Sequence, residues 1–188
     1  GSLRPEVRAL RSRLAGTAGA LVLTHPVERA DARTAALLNG IAGRAIELCD
    51  GMRYVSSQPS VQIIPGLLAL AELGDASGAD FLTALIAGYE VNGRLSIGFK
   101  PRPTAHQNGQ VSLLGAVAAA CRLKRFRTSQ LRSALHMGAN LLMAPSYNGV
   151  VEGATSLNVA GGMSNVAAVL VPDLVEAGFT NQQRAVEE

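Results

Sequence analysis

A long stretch almost without charge limits the folds open to this chain more than any other feature. Between residues 133 and 172 only Glu152 carries a formal charge when histidine is counted as neutral. By length, this stretch is sufficient for two membrane-spanning helices. Polar amide side chains that are disfavoured in lipid interrupt it, namely Asn140, Asn148, Asn158 and Asn165. We therefore expect two buried core helices and no membrane partner.

The rest of the chain also predicts helices. Strand-like alternation does not persist and no repeat is visible, which indicates an all-α fold. The predicted helices span residues 4–14, 30–50, 78–97, 111–123, 129–142 and 153–178. With 20 glycines and no tryptophan, small aliphatic side chains must fill the core, so the helices must pack closely. We predict one helical, bundle-like domain over residues 1–188, with residues 1–29 as a peripheral N-terminal segment.

Charge and cysteine content exclude several classes of function. The net charge is +3, but the basic clusters contain no interleaved aromatic side chains that could stack on bases. We therefore expect no nucleic-acid partner, whereas a small anionic substrate suits the mild basic balance. Cys49 and Cys121 have neither disulfide-framework nor zinc-ligand spacing, so we expect no metal site and a reduced, cytoplasmic setting.

A first candidate site lies where the predicted helix 30–50 ends. Arg44, Glu47 and Asp50 recur every three residues and so would form one charged stripe on that helix. Gly51 suits the left-handed conformation of a C-terminal cap, and a polar loop runs from there to Pro59. This arrangement is typical of a ligand-binding wall and equally of a solvent-exposed helix face beside a surface loop.

A second candidate site lies in the polar loop of residues 100–110, which contains His106. Pro101 and Pro103 exclude a helix there, and the alanine-rich run 111–123 begins a helix directly afterwards. The positive end of that helix favours a neutral imidazole and attracts anions. His106 could therefore serve as a general acid or base, although a surface histidine that caps the helix would leave the same pattern.

Seven stretches, taken in order and spacing, carry a family resemblance. They are residues 35–50, 58–60, 64–65, 68–72, 87–95, 115–123 and 174–180. Together they resemble the MmgE/PrpD family, which comprises dehydratases, decarboxylases and epimerases of polycarboxylic acids. The resemblance implies a lyase or isomerase that abstracts a proton next to a carboxylate and then loses water or carbon dioxide, or is reprotonated.

The resemblance also implies an architecture and partners. Members have a large helical domain and a smaller α+β lid domain, form homodimers, and use no metal or organic cofactor. This chain matches the helical domain and ends about where the lid would begin. We therefore expect a fragment or a short member, with the lid supplied by the rest of the protein or by a partner chain.

Carried over position by position, the resemblance assigns catalysis to His106, Glu47 and Asp50. The substrate-binding candidates are Arg53, Gln58, Lys100, Arg102, Gln107, Asn108, Thr155 and Asn158. Arg53, Lys100 or Arg102 could hold a carboxylate.

Several positions depart from the family pattern, among them Cys49 in place of an aspartate and Gly51 in place of a threonine. Arg44 and Gln58 each stand where the family has a histidine, while Thr155 and Asn158 stand where it has a lysine and a histidine. Three interpretations stay open: a lyase or isomerase, the same pocket with a less charged substrate, or a non-catalytic helical subunit or binding module that kept the fold.

Overall fold

The structure, a computed structural model, describes residues 1–24, 26–55, 57–100, 102–107 and 110–187. Helices dominate the described residues, as the all-α prediction requires. They are α1 (Pro5–Leu14), α2 (Ala32–Arg44), α3 (Ser60–Leu73), α4 (Gly78–Gly98), α5 (Val111–Leu123), α6 (Thr128–Ala139), α7 (Asn148–Val151) and α8 (Ser156–Glu176). A short 3₁₀ turn covers Arg53–Val55.

Helix α5 is the centre of the domain. Every residue from 112 to 121 is buried, and α5 contacts α3, α4, α6 and α8. A helix that is apolar all round must be enclosed by other elements, since no face of it suits water. The loop before α5, which contains His106, is therefore attached to the most buried element of the fold.

Two helix pairs approach closely because glycines face each other. A Cβ atom added to Gly115 of α5 would lie 2.7 Å from the carbonyl oxygen of Gly88 in α4. A Cβ atom on Gly162 of α8 would lie 2.8 Å from the carbonyl oxygen of Leu37 in α2. Both distances are shorter than van der Waals contact, so only glycine fits. The close packing expected from the composition is confirmed.

Asn165 of α8 repairs a defect in α3. Pro65 has no N–H group, so it cannot donate to the carbonyl of Val61 one turn earlier. The side-chain Nδ2 of Asn165 donates to that oxygen instead, at 2.8 Å, and its Oδ1 accepts from the Gly66 N–H at 2.8 Å. A third bond joins Nδ2 to the Gly161 carbonyl. The buried amide thus holds α3 and α8 together.

The N-terminal segment ends in a small hairpin. Strand β1 (Ala20–Val22) pairs antiparallel with β2 (Glu28–Ala30), with Leu21 opposite Arg29. Val7, Ala20 and Val22 are buried, so this segment, expected to be peripheral, contributes side chains to the core.

Helix α2 ends six residues earlier than predicted, and the reason lies in its last turn. Ala45 caps the helix with an N–H to the Ile41 carbonyl, and Glu47 turns the chain with a φ of 56°. Glutamate is an unusual left-handed residue, whereas Gly51 had suggested a later end. Glu47 and Asp50 therefore do not share a helical stripe with Arg44, and that prediction was wrong.

Two other helix boundaries and one helix face differ from prediction. Helix α6 ends at Ala139, three residues before the predicted end, and α8 is a slightly shorter form of the predicted helix 153–178. The short α7, which precedes α8, was not predicted. The spacing on α4 predicts one face made of Leu82, Leu85, Ile86, Tyr89 and Gly93. Gly93 is buried, and Leu85 and Tyr89 pack against the core, but Leu82 and Ile86 are exposed. Ala84, Gly88 and Asn92 are buried as well. The α4 face that contacts α5 contains small residues such as Ala84 and Gly88, because the two helices lie too close for larger side chains.

By length and composition, helix α8 could cross a membrane, but half of its most apolar stretch is buried inside the fold. That is the environment of a core helix, as predicted for this stretch.

Candidate functional site

Arg44 closes α2 as a fully buried cation. Its side chain is 1% exposed, and its Nη1 pairs with Oε1 of Glu47 at 2.5 Å, although the Glu47 side chain is 62% exposed. The Arg44 Nε has no hydrogen-bond partner among the described residues. The end of α2 therefore presents a buried guanidinium whose counter-ion faces the solvent.

His106 is held in place by the backbone of a neighbouring loop. Its N–H donates to the Pro145 carbonyl at 2.8 Å, and the Tyr147 N–H donates to the Thr104 carbonyl at 2.9 Å. The imidazole stacks on the Tyr147 ring with a centroid separation of 5.9 Å and an angle of 24°. His106 is 5% exposed, so it is not the surface histidine of the alternative interpretation.

The surroundings of His106 favour its neutral form. Burial lowers the pKa of the imidazole from its ordinary value of 6.5, and the positive charge of Arg44 lowers it further, while Glu47 acts in the opposite direction. The three side chains are thus within electrostatic reach of one another. At neutral pH the imidazole is uncharged and can accept a proton.

A cavity of about 170 Å³ lies beside this cluster. Glu47, Thr155 and Asn158 line it, together with Arg4 and Glu6 from the N-terminal segment. Thr155 is the N-cap residue of α8 and Asn158 lies in its first turn. Three of the residues carried over from the resemblance therefore meet in one cavity.

Three others meet in a second cavity of about 410 Å³. Arg53, Gln58 and Gln107 line it. The Oε1 atom of Gln58 is buried and has no hydrogen-bond partner among the described residues. Because Gln107 follows His106 in the chain, one loop contributes both to this cavity and to the cluster around Arg44.

Asp50 serves the structure around it. Its Oδ1 accepts from the Ser60 N–H at 3.1 Å and from the Ser60 hydroxyl at 2.5 Å. Its Oδ2 accepts from the Tyr89 hydroxyl at 2.9 Å, and burial together with that carboxylate raises the pKa of Tyr89. Asp50 thus caps the start of α3 and fastens α4 to it; its role in catalysis stays a prediction.

The remaining candidates do not join these groups. Lys100 and Arg102 are exposed, and neither lines the two cavities described above. Asn108 lies outside the described residues.

The sequence placed Arg44 in the charged stripe of the first candidate site but not among the catalytic or substrate-binding candidates. Arg44 is three residues from Ile41 and four from Gly40, both of which are buried in α2. This spacing places it on the apolar face and could have identified it as a buried cation.

The sequence comparisons agree with the resemblance. Cis-aconitate decarboxylase of Mus musculus is 32% identical over 126 residues, which cover 63% of this chain and 26% of that protein. The Homo sapiens protein of the same name is 31% identical over a stretch of the same length and coverage. The chain thus spans about a quarter of the curated relatives it matches. Since residues 1–188 also match the MmgE/PrpD N-terminal domain along their whole length, the chain belongs to the MmgE/PrpD family.

Proposed function

We propose that this chain is the helical part of a lyase or isomerase that transfers a proton on a small carboxylic acid, with His106 as the general base or acid. One observation carries the proposal. A buried histidine, neutral at neutral pH, lies within electrostatic reach of the Arg44–Glu47 pair, next to a cavity that Glu47 lines.

The chemistry requires these two kinds of group. Removing a proton next to a carboxylate, or losing carbon dioxide from it, leaves negative charge on the substrate. A histidine whose pKa lies near or below neutrality exchanges that proton efficiently. A fixed cation in a low-dielectric surrounding stabilises the developing charge. His106 and Arg44 supply the two groups.

The relatives support a carboxylic acid as the substrate, because both are named as decarboxylases of cis-aconitate. The cavity beside Glu47 differs from the family pattern in having Thr155 and Asn158 in place of a lysine and a histidine. Neutral hydrogen-bonding groups at these positions fit a substrate with fewer carboxylates. Dehydration, decarboxylation and epimerisation all remain compatible with one proton-transferring histidine.

The assembly is part of the proposal. The chain spans a quarter of its relatives, and we propose that the lid and the remaining helices are supplied by the rest of the protein or by a partner chain, and that the protein is a homodimer. Activity is therefore to be assayed on the full-length protein, with cis-aconitate and with smaller mono- and dicarboxylic acids as substrates.

His106→Gln tests the proposal with little change in side-chain volume. Loss of a general acid or base lowers kcat by about two to four powers of ten. His136→Gln is the matched control, because His136 is also buried, at 7% exposed, and its Nδ1 accepts from the Val186 N–H away from the site. We expect that variant to keep its turnover.

Undiminished activity in His106→Gln would contradict the assignment of His106. Lack of turnover in the full-length wild-type protein with every acid would favour the non-catalytic binding module instead.

A further inference from the structure

We infer that Glu47 is a placeholder, whose carboxylate occupies the position beside Arg44 where a carboxylate of the substrate binds. The inference deepens the proposed function and rests on it, since it names the residue that holds the substrate's charge.

The argument begins with the burial of Arg44. A guanidinium withdrawn from water is unfavourable unless anions and hydrogen-bond acceptors compensate it. Here the side chain is 1% exposed, one carboxylate pairs with it, and its Nε has no hydrogen-bond partner among the described residues. The Cys49 thiol also lies within reach of this cation, but burial raises the pKa of that thiol, so it is neutral. Arg44 can therefore donate further hydrogen bonds to anionic or polar groups.

The Glu47 side chain can readily move away from Arg44. Its side chain is 62% exposed, so moving its carboxylate into water requires little additional solvation. Its backbone has a φ of 56°, a left-handed conformation that is unfavourable for a non-glycine residue. Among the described residues its ion pair is with Arg44, and Arg44 needs an anion at all times.

The cavity can hold a ligand whose carboxylate replaces that of Glu47 beside Arg44. Glu47 lines the cavity of about 170 Å³, a volume equal to several water molecules at about 30 Å³ each. A small carboxylic acid in this cavity lies next to Glu47, whose carboxylate pairs with Arg44. Exchange of one carboxylate for another keeps the buried cation neutralised, and His106 is within electrostatic reach of the same pair.

Other cations of the chain are less suited to this role. Arg53 lines the second cavity, and Lys100 and Arg102 are exposed, where attraction to a carboxylate is weak. Arg4 lines the same cavity as Glu47 but is exposed, and Glu6 beside it carries the opposite charge. Arg44 alone among these five combines burial with an unfilled donor.

Chemical rescue tests the inference without any turnover. Glu47→Ala in the full-length protein leaves Arg44 unpaired, so its melting temperature should fall. Acetate or propionate should then restore most of that loss, while chloride at equal ionic strength should not, because a ligand that binds only the folded state raises its stability. We also expect propionate to bind Glu47→Ala about tenfold more tightly than wild type, since no internal carboxylate competes.

Two variants serve as controls. Glu90→Ala removes a glutamate of equal exposure, at 61%, from its 3.0 Å pair with Arg94, and acetate should not change its melting temperature. The double variant Glu47→Ala/Arg44→Met should show no rescue. If Glu47→Ala does not fold, Glu47→Gln replaces it in the experiment. The glutamine amide oxygen can still accept from Arg44, but the variant has no carboxylate at position 47 to compete with propionate.

Absence of rescue, or equal rescue of the Glu90 variant or the double variant, would overturn the inference. The same measurements separate it from the proposed function. Rescue in a protein without turnover would support the placeholder and reject the lyase, while turnover without rescue would leave His106 in place and reject the placeholder.

Discussion

Gly162→Ala should loosen the crossing of α2 and α8, the two helices that bring Arg44 and Thr155 to the site. A Cβ atom at position 162 would lie 2.7 Å from Cγ1 of Ile41 and 2.8 Å from the Leu37 carbonyl oxygen. Backbone atoms of α2 cannot rotate away as a flexible side chain can. The two helices must therefore move apart for the methyl group to fit.

The neighbouring glycine provides the magnitude. A Cβ atom on Gly161 would lie 3.6 Å from the nearest atom, Cβ of Arg44, which is ordinary contact. Both glycines are inside α8, so both gain about 1 kcal/mol in helix propensity when changed to alanine. That gain cancels in the comparison. What remains is the overpacking term, about 3 kcal/mol at the upper end of its usual range because a backbone oxygen is involved.

For a domain of 188 residues, 1 kcal/mol corresponds to about 2–4 °C in melting temperature. Gly162→Ala should therefore melt about 6–12 °C below Gly161→Ala, as measured by circular dichroism or calorimetry. Gly161→Ala itself should melt at or slightly above the wild type. If Gly162→Ala melts as high as Gly161→Ala, the close approach of α2 and α8 does not exist in solution.

Three further predictions follow from single residues. Asn165→Ala removes three hydrogen bonds, including the one to the Val61 carbonyl, which Pro65 cannot satisfy. The free energy of unfolding, measured with urea, should fall by about 2–4 kcal/mol. Arg125→Gly should raise stability by about 0.5–1 kcal/mol in the same assay, because position 125 has a φ of 57° and follows the end of α5, where glycine is preferred; a loss would contradict this. His106 is neutral when folded, so wild-type stability should fall as the pH drops below 6.5, since the unfolded chain binds the extra proton; His106→Gln should show a flatter profile, and parallel profiles would be the contrary result.

Much of the fold was predictable because helix signals are local. The bounds of α5 agree with the prediction, since two prolines and an alanine-rich run define its start. Ser77 caps α4 through the Asp80 N–H, and Glu90 pairs with Arg94 one turn apart, as their spacing indicates. Each of these features depends on residues within four positions of one another.

The end of α2 was not predictable, because it depends on residues that are distant in the sequence. The left-handed turn at Glu47 is compensated by an ion pair with an arginine that α8 and the His106 loop help to enclose, and a local pattern cannot register such neighbours. The sequence identified His106, Glu47, Thr155 and Asn158 as candidates by resemblance, but not that three of them line one cavity beside a buried arginine.

By itself the sequence determined an all-α fold, the order of most helices and the family, because periodicity, caps and motif order are written along the chain. The tertiary structure alone decided that Arg44 is buried, that Asp50 supports α3, and that burial and the charge of Arg44 lower the pKa of His106. Burial and charge proximity depend on residues as much as 62 positions apart, such as Arg44 and His106, and only folding brings these together.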